Sequence, residues 1–212
     1  MISANLNWSE NLKTRISKTM KTWFMIKRNT SKELPMTTKI HLYRAVLCPI
    51  LLFGSECWGL KRSEFSTIEK LNKRILKWIT FCEDYKEAIQ RSNLLPPLYY
   101  KVLKDLLLFH SIVSGKYAVD FSEHLKIQWS GRRTWVRLPE VRYEAQRQNF
   151  WYRTGFRINI IQQKTNFFEL LNPKPVLINA MWDYFDRNWA ENNPCTWTFL
   201  CLCENCRANF MF

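Results

Sequence analysis

Apolar residues recur every three or four positions at Leu12, Ile16, Met20, Trp23 and Phe24, which predicts an amphipathic helix with Ser9 as its N-terminal cap. After Pro35, the stretch "MTTKIHLYRAVLCPILLFG" predicts a second helix with Ile40, Tyr43, Val46 and Leu47 on its apolar side. Pro49 is expected to kink or stop it, and Gly54 to close the region. In "STIEKLNKRILKWITF", Ser66 and Glu69 have the spacing of a capping box, Ile68, Leu71, Ile75 and Trp78 form a stripe, and Lys70, Lys73, Arg74 and Lys77 form the opposite face. A turn at "LLPPL" leads into "YYKVLKDLLLFHSIVSG", where Val102, Leu103, Leu106, Phe109 and Val113 make a wide apolar face and Gly115 is a natural stop. That helix is expected to be central to the core.

From Ser130 to Gln148 the periodicity weakens, and "RRTWVRLPEVRYEAQ" predicts a short irregular hairpin or an extended arm. Helical spacing returns through Phe150, Thr154, Ile158 and Ile161, and "PVLINAMWDYFDRNW" predicts a last helix after Pro175. The expected fold is mainly α: a helical bundle with a short irregular or hairpin segment and a cysteine-rich C-terminal tail. Its divisions are 1–128, a helical domain; 129–193, a basic arm with the C-terminal helices; and 194–212, the tail.

Charge changes this picture more than length does. Thirty-two Lys and Arg against eighteen Asp and Glu give a formal charge of +14, which favours polyanionic partners. Nine basic residues and one acid, Glu33, lie between Lys13 and Arg44; nine more lie between Lys126 and Lys164 against Glu140 and Glu144. Aromatic residues interleave with them, a mixture suited to neutralising phosphates and stacking on bases. The expected phosphate contacts are Lys13, Lys18 and Lys21 on the first helix, Lys70, Lys73, Arg74 and Lys77 on the third, and Arg132, Arg133 and Arg153 in the arm region. No small-molecule substrate is evident.

Recognisable catalytic signatures are missing. Five scattered glycines start no Walker or dinucleotide fingerprint, and Glu83 and Asp84, the adjacent acidic pair, read as a solvated helix end rather than a two-metal centre. His41 and His110 fall inside amphipathic helices without a nucleophile signature beside them. The N-terminus lacks the pattern of a secretory signal, and the longest apolar run, "AVLCPILLF", spans nine residues and contains a proline, against the roughly eighteen that a membrane helix needs. The expectation is an intracellular, reducing location, cytoplasmic or nuclear, without a membrane partner.

In the tail, Cys195, Cys201, Cys203 and Cys206 are spaced Cys-x5-Cys-x-Cys-x2-Cys. Four thiols are the right number for one structural zinc ion, and Cys203 with Cys206 makes the usual pair on one turn. The close approach of Cys201 to Cys203 fits less well, so a zinc knuckle and a set of reduced thiols stand as alternatives. Trp197 and Phe199 either stack on a nucleobase or pack on Phe185 and Trp189.

The order of the motifs "LNWSENLKTRISK", "LPMTTKIHLYRAVLCPILLFGSECWGL", "STIEKLNKRILKWI", "LLPPLYYKVLKDLLLFHSIVSGKY" and "NFWYRTGFRINII" resembles the thumb and following C-terminal region of non-LTR (LINE-type) retrotransposon reverse transcriptases. The resemblance covers roughly residues 6 to 165. It rests on Lys39, Leu42 and Tyr43, and on a Pro-x-Leu-Leu-Tyr-Gly-x-Glu-x-Trp-like box at Pro49, Leu51, Leu52, Phe53, Gly54, Glu56 and Trp58. Phe53 stands where tyrosine is usual, and a Trp-Asn-x-Leu-Pro element has become Ile158, Asn159, Ile160, Ile161 and Gln162.

The resemblance implies a thumb-like region that holds a template-primer duplex through its phosphates. It also implies that the catalytic palm, with its aromatic-x-Asp-Asp box, belongs upstream of the region seen here. The expectation is therefore a non-enzymatic fragment or remnant of an RNA-directed DNA polymerase that binds RNA, DNA or their hybrid, with the missing polymerase domains or another protein as a further partner. The alternatives are a zinc-stabilised protein-interaction module and a non-functional open reading frame.

Overall fold

The computed structural model describes residues 8–31, 33–58, 62–120, 122, 126–130, 133–147, 149–162 and 166–190, with side chains omitted at 62, 63, 129, 130, 133, 144, 145 and 184–190. These residues are mainly helical, with one two-stranded antiparallel sheet. They form two units, Met1–Ser55 with Leu60–Tyr100, and Glu56–Gly59 with Lys101–Phe212. The division falls inside a helix, at a place where composition marks no boundary. The tail with Cys195, Cys201, Cys203 and Cys206 lies outside the described residues.

In the first unit, α1 (Ser9–Asn29) buries Leu12, Trp23 and Ile26. Ser9 does not cap it: the N-cap is Trp8, and the Ser9 hydroxyl instead donates to the Glu64 carboxylate at 2.7 Å. A long-range partner has taken the hydroxyl that local sequence assigned to the helix end. Next come α2 (Met36–Leu42), a π-helical turn (Tyr43–Leu47) and α3 (Cys48–Leu51), which run on without a break.

Pro49 therefore does not stop the helix, which passes it after a π-helical distortion. Proline has no N–H to offer the carbonyl one turn back, and the chain absorbs this with a wider turn, in which the Cys48 N–H bonds to the Tyr43 carbonyl. Because of that continuity, Met36–Cys57 is long and apolar enough to cross a membrane by length and composition, the one such helical run among the described residues. Within this run Tyr43, Leu47, Leu51 and Leu52 are buried in this structure.

Helix α4 (Arg62–Thr80) begins a turn earlier than the Ser66 and Glu69 box predicts, so Ser66 lies in the helix interior rather than at its N-terminal cap. Its stripe is as expected, with Ile68, Leu71 and Ile75 buried and Trp78 half-buried. From the π-helical turn through α4 to Tyr85 runs a buried polar chain: the Tyr43 hydroxyl donates to Asn72 Oδ1, and Asn72 Nδ2 donates to the Tyr85 hydroxyl, each at 2.9 Å. Such a chain keeps buried polar atoms paired.

Helix α5 (Tyr85–Ser92) has no counterpart among the predicted elements. It explains the acidic pair: Asp84 caps it by accepting from the Glu87 N–H at 2.8 Å, and Glu83 pairs with Lys77. Asn93, at φ +49°, closes α5 in the left-handed conformation that ends many helices. Helix α6 (Pro97–Val113) follows, with Pro97 at its start.

In the second unit, α6 buries Val102, Leu103, Leu106 and Phe109 and leaves Val113 half-buried. It ends as predicted at Gly115, at φ +72°, with Gly115 N–H bonded to Ile112 O and Lys116 N–H to Ser111 O. The hairpin is β1 (Lys126–Ser130) and β2 (Arg133–Arg137), with Ile127 opposite Val136. It starts before the weakly patterned stretch, which itself supplies β2 and a short α7 (Glu144–Arg147). Helix α8 (Phe150–Gln162) and helix α9 (Pro173–Ala190) complete the unit, and Pro175 sits in the first turn of α9 rather than ahead of it.

Asn159 on α8 takes the place of a neighbouring strand. Its amide donates to the Val136 carbonyl and accepts from the Val136 N–H, both at 2.8 Å. Gly155, one turn earlier, permits the close approach: a Cβ there would lie 2.9 Å from Val136 Cγ1 and 3.0 Å from Leu138 Cδ2.

Candidate nucleic-acid interface

The cations expected to meet phosphate fall into three groups. The first is on α1 and α4. Lys13, Lys18, Lys21, Lys70, Lys73, Arg74 and Lys77 are all exposed. The four on α4 recur at helical spacing opposite Ile68, Leu71 and Ile75, which are buried, so the apolar stripe that anchors the helix also turns these side chains to water. Lys13 pairs with Glu10 at 2.8 Å and Lys77 with Glu83 at 2.6 Å, both at the surface where such pairs contribute little. Lys73 rests 4.9 Å from the Tyr85 ring centroid. Among the described residues, no carboxylate forms an ion pair with Lys18, Lys21, Lys70 or Arg74.

The second group is Arg132 and Arg133. Arg132 lies outside the described residues, and for Arg133 only the backbone in β2 is described.

The third is Arg153, and here the expectation is corrected. Arg153 is 2% exposed. Its Nε donates to Asp105 Oδ2 at 2.9 Å and its Nη2 to Asp105 Oδ1 at 3.1 Å, with a further bond to the Glu56 carbonyl. An arginine clamped on a buried carboxylate in this bidentate way is a structural ion pair, out of reach of phosphate. Asp105 also accepts from Lys101 at 3.1 Å and Arg157 at 3.3 Å. One buried anion thus holds three buried cations. Burial pushes the Lys101 ammonium down to about 7, Asp105 pulling it up and the two arginines pushing it further down. Burial likewise lowers Arg157 to about 10. For Asp105, burial acts to raise the carboxyl, but Lys101, Arg153 and Arg157 outweigh it and hold the group below its ordinary value.

Comparison with family models, with curated proteins and with solved structures returns no match.

Two residues outside the expected phosphate contacts meet beside the α1 surface. Arg15 lays its guanidinium 4.4 Å from the ring centroid of Phe53, just beyond α3, and both line an open cleft of about 490 Å³ with Lys18, Lys21, Thr22, Pro49 and Ile50. The sequence signal was the aromatic before Gly54, but only the fold brings it beside α1. Lys39, by contrast, is a cation withdrawn from the surface. It is 1% exposed, with its ammonium 4.3 Å from the Phe81 centroid and 5.4 Å from that of Trp78. Phe81 holds this position at φ +59°, a conformation costly for a bulky side chain.

His110 is packed edge-on to Phe167 at 5.5 Å, and burial lowers its pKa. Cys48, Cys57 and Cys82 are free thiols. Among the described residues no three His, Cys, Asp or Glu side chains converge on a point where a metal ion would sit.

Proposed function

We propose that this chain binds nucleic acid, whether RNA, DNA or hybrid, without strong sequence preference, through the basic faces of α1 and α4. In this reading it is a fragment of a non-LTR retrotransposon reverse transcriptase, thumb-like in its helices, intracellular, and without a membrane partner. The observation that carries the proposal is the set of seven exposed cations on two helices of one unit, four of them at helical spacing on α4. Phosphate contacts of this kind supply affinity and leave sequence unread.

The proposal assigns no phosphoryl transfer to these residues. Asp84 caps a helix, Glu83 pairs with Lys77, and Asp105 is enclosed by three cations, while two-metal chemistry requires carboxylates that converge on the ions. A filter-binding titration against salt tests the binding. Log affinity should fall linearly with log salt, with a slope of about −0.9 per phosphate contacted on duplex and about −0.7 on a single strand. Absence of binding, or affinity indifferent to salt, would exclude the proposal.

For the tail, the proposal gives Cys195, Cys201, Cys203 and Cys206 one zinc ion, since four thiols are a donor set that zinc accepts. Metal analysis of the purified protein should find one equivalent, which disappears when Cys203 and Cys206 are both changed to serine. Metal-free protein with four reactive tail thiols would leave them as ordinary cysteines.

A further inference from the structure

We propose that the cleft between α1 and the turn after α3 seats an unpaired base of single-stranded nucleic acid, with Phe53 as the stacking surface and Arg15, Lys18 and Lys21 as the neighbouring cations. The inference rests on the nucleic-acid reading above and narrows it to one strand state and one place.

Three features of the cleft choose this occupant. Its charged lining residues are all cationic, Arg15, Lys18 and Lys21, with no acid among them, so it suits an anion. Its floor of Pro49, Ile50 and Phe53 is apolar, and Phe53 is 62% exposed even with the Arg15 guanidinium over its ring. An inorganic phosphate or a lipid headgroup uses the cations alone. A duplex offers phosphates but keeps the faces of its bases stacked inside. A single strand presents both at once, a π-face and a phosphate a few ångströms away, which is the combination that stacking platforms recognise. The volume, about 490 Å³, is within the range of about 300–1,000 Å³ common for ligand pockets.

The backbone holds the ring in place. α3 runs up to Leu51 without breaking at Pro49, and Gly54 then turns at φ +64°, a conformation that disfavours side chains. Phe53 therefore sits at the tip of a fixed turn, and the guanidinium from α1 adds a cation–π contact that orients the ring.

Fluorescence anisotropy with a short labelled single strand and a blunt hairpin duplex, run in parallel, tests the assignment. Phe53→Ala should weaken the single strand about tenfold or more and the duplex less than about twofold. Phe53→Tyr should retain single-strand affinity, and the fluorescence of a 2-aminopurine base in the strand should change on binding to the wild type but not on binding to Phe53→Ala. Lys18→Gln and Lys21→Gln should each flatten the salt dependence for the single strand by about 0.7. If the wild type binds with salt dependence while Phe53→Ala changes nothing, or weakens both strand states equally, the base seat is wrong and the basic-helix reading survives. If the wild type binds neither, both fall. Circular dichroism of each variant confirms that an exposed substitution has left the fold intact.

Discussion

Asp105→Asn is expected to destabilise the protein by about 3–5 kcal/mol, read as a fall in the urea midpoint. The side chain is 0% exposed and its carboxylate pairs with Lys101, Arg153 and Arg157 together. Breaking a buried pair by deleting one partner costs far more than the pair itself contributes, because the remaining charge stays desolvated. Here three remain. Lys101→Met should act in the opposite sense, neutral or stabilising, since it removes one of the surplus cations. If Asp105→Asn were tolerated without destabilisation, the cluster would not be closed to water.

The same cluster sets a dependence on pH. The folded Lys101 value is lowered to about 7 from an ordinary 10.5, so between those two values the unfolded chain binds more protons than the folded one. Stability should therefore rise with pH through that window, with a slope of at most about 1.4 kcal/mol per unit. Below about 7 both states hold the proton and the full penalty is present. Asp105 works at the acid end: its lowered value stabilises the fold above the ordinary carboxylate range, and that contribution is lost as pH falls through the folded value. Melting temperatures at pH 7 and 9 should differ in the wild type, and Lys101→Met should remove much of the difference.

The second large effect is expected from neutralising the face of α4. The combined variant Lys70→Gln, Lys73→Gln, Arg74→Gln, Lys77→Gln should flatten the salt dependence of duplex binding by about three units, at about 0.9 for each phosphate that no longer meets a cation. Lys77 already shares its charge with Glu83, so its share should be the smallest. Stability should change little, because all four side chains are exposed. An unchanged salt slope in this variant would move the interface off α4.

Periodicity made the long helices legible. Ile68, Leu71 and Ile75 are a stripe that only one helical phase can bury, and Gly115 stops α6 where a left-handed residue was needed. The helix ends were less legible, because they depend on partners remote in sequence. Ser9 has the chemistry of a cap, yet its hydroxyl goes to Glu64, 55 residues away. Arg153 fails for the same reason. A cation in a basic stretch reads as surface, and nothing nearby reveals that Asp105, 48 positions earlier, will enclose it. Asn159 likewise bonds to the backbone of Val136, 23 positions earlier, a pairing that no local pattern announces. Of the candidate site, α1 and α4 were visible as basic faces, while the pairing of Arg15 with Phe53 required the fold.

The π-helical turn at Tyr43–Leu47 has one more consequence. An α-helix advances by about 100° per residue, so a turn that accommodates one extra residue shifts the phase of everything after it by that amount. Pro49, Ile50 and Phe53 come after the slip and line the cleft with α1. Which azimuth this segment turns toward α1 is therefore written in how many residues precede it, so that deleting a single residue from the turn would re-aim the aromatic ring without altering a single residue of the cleft.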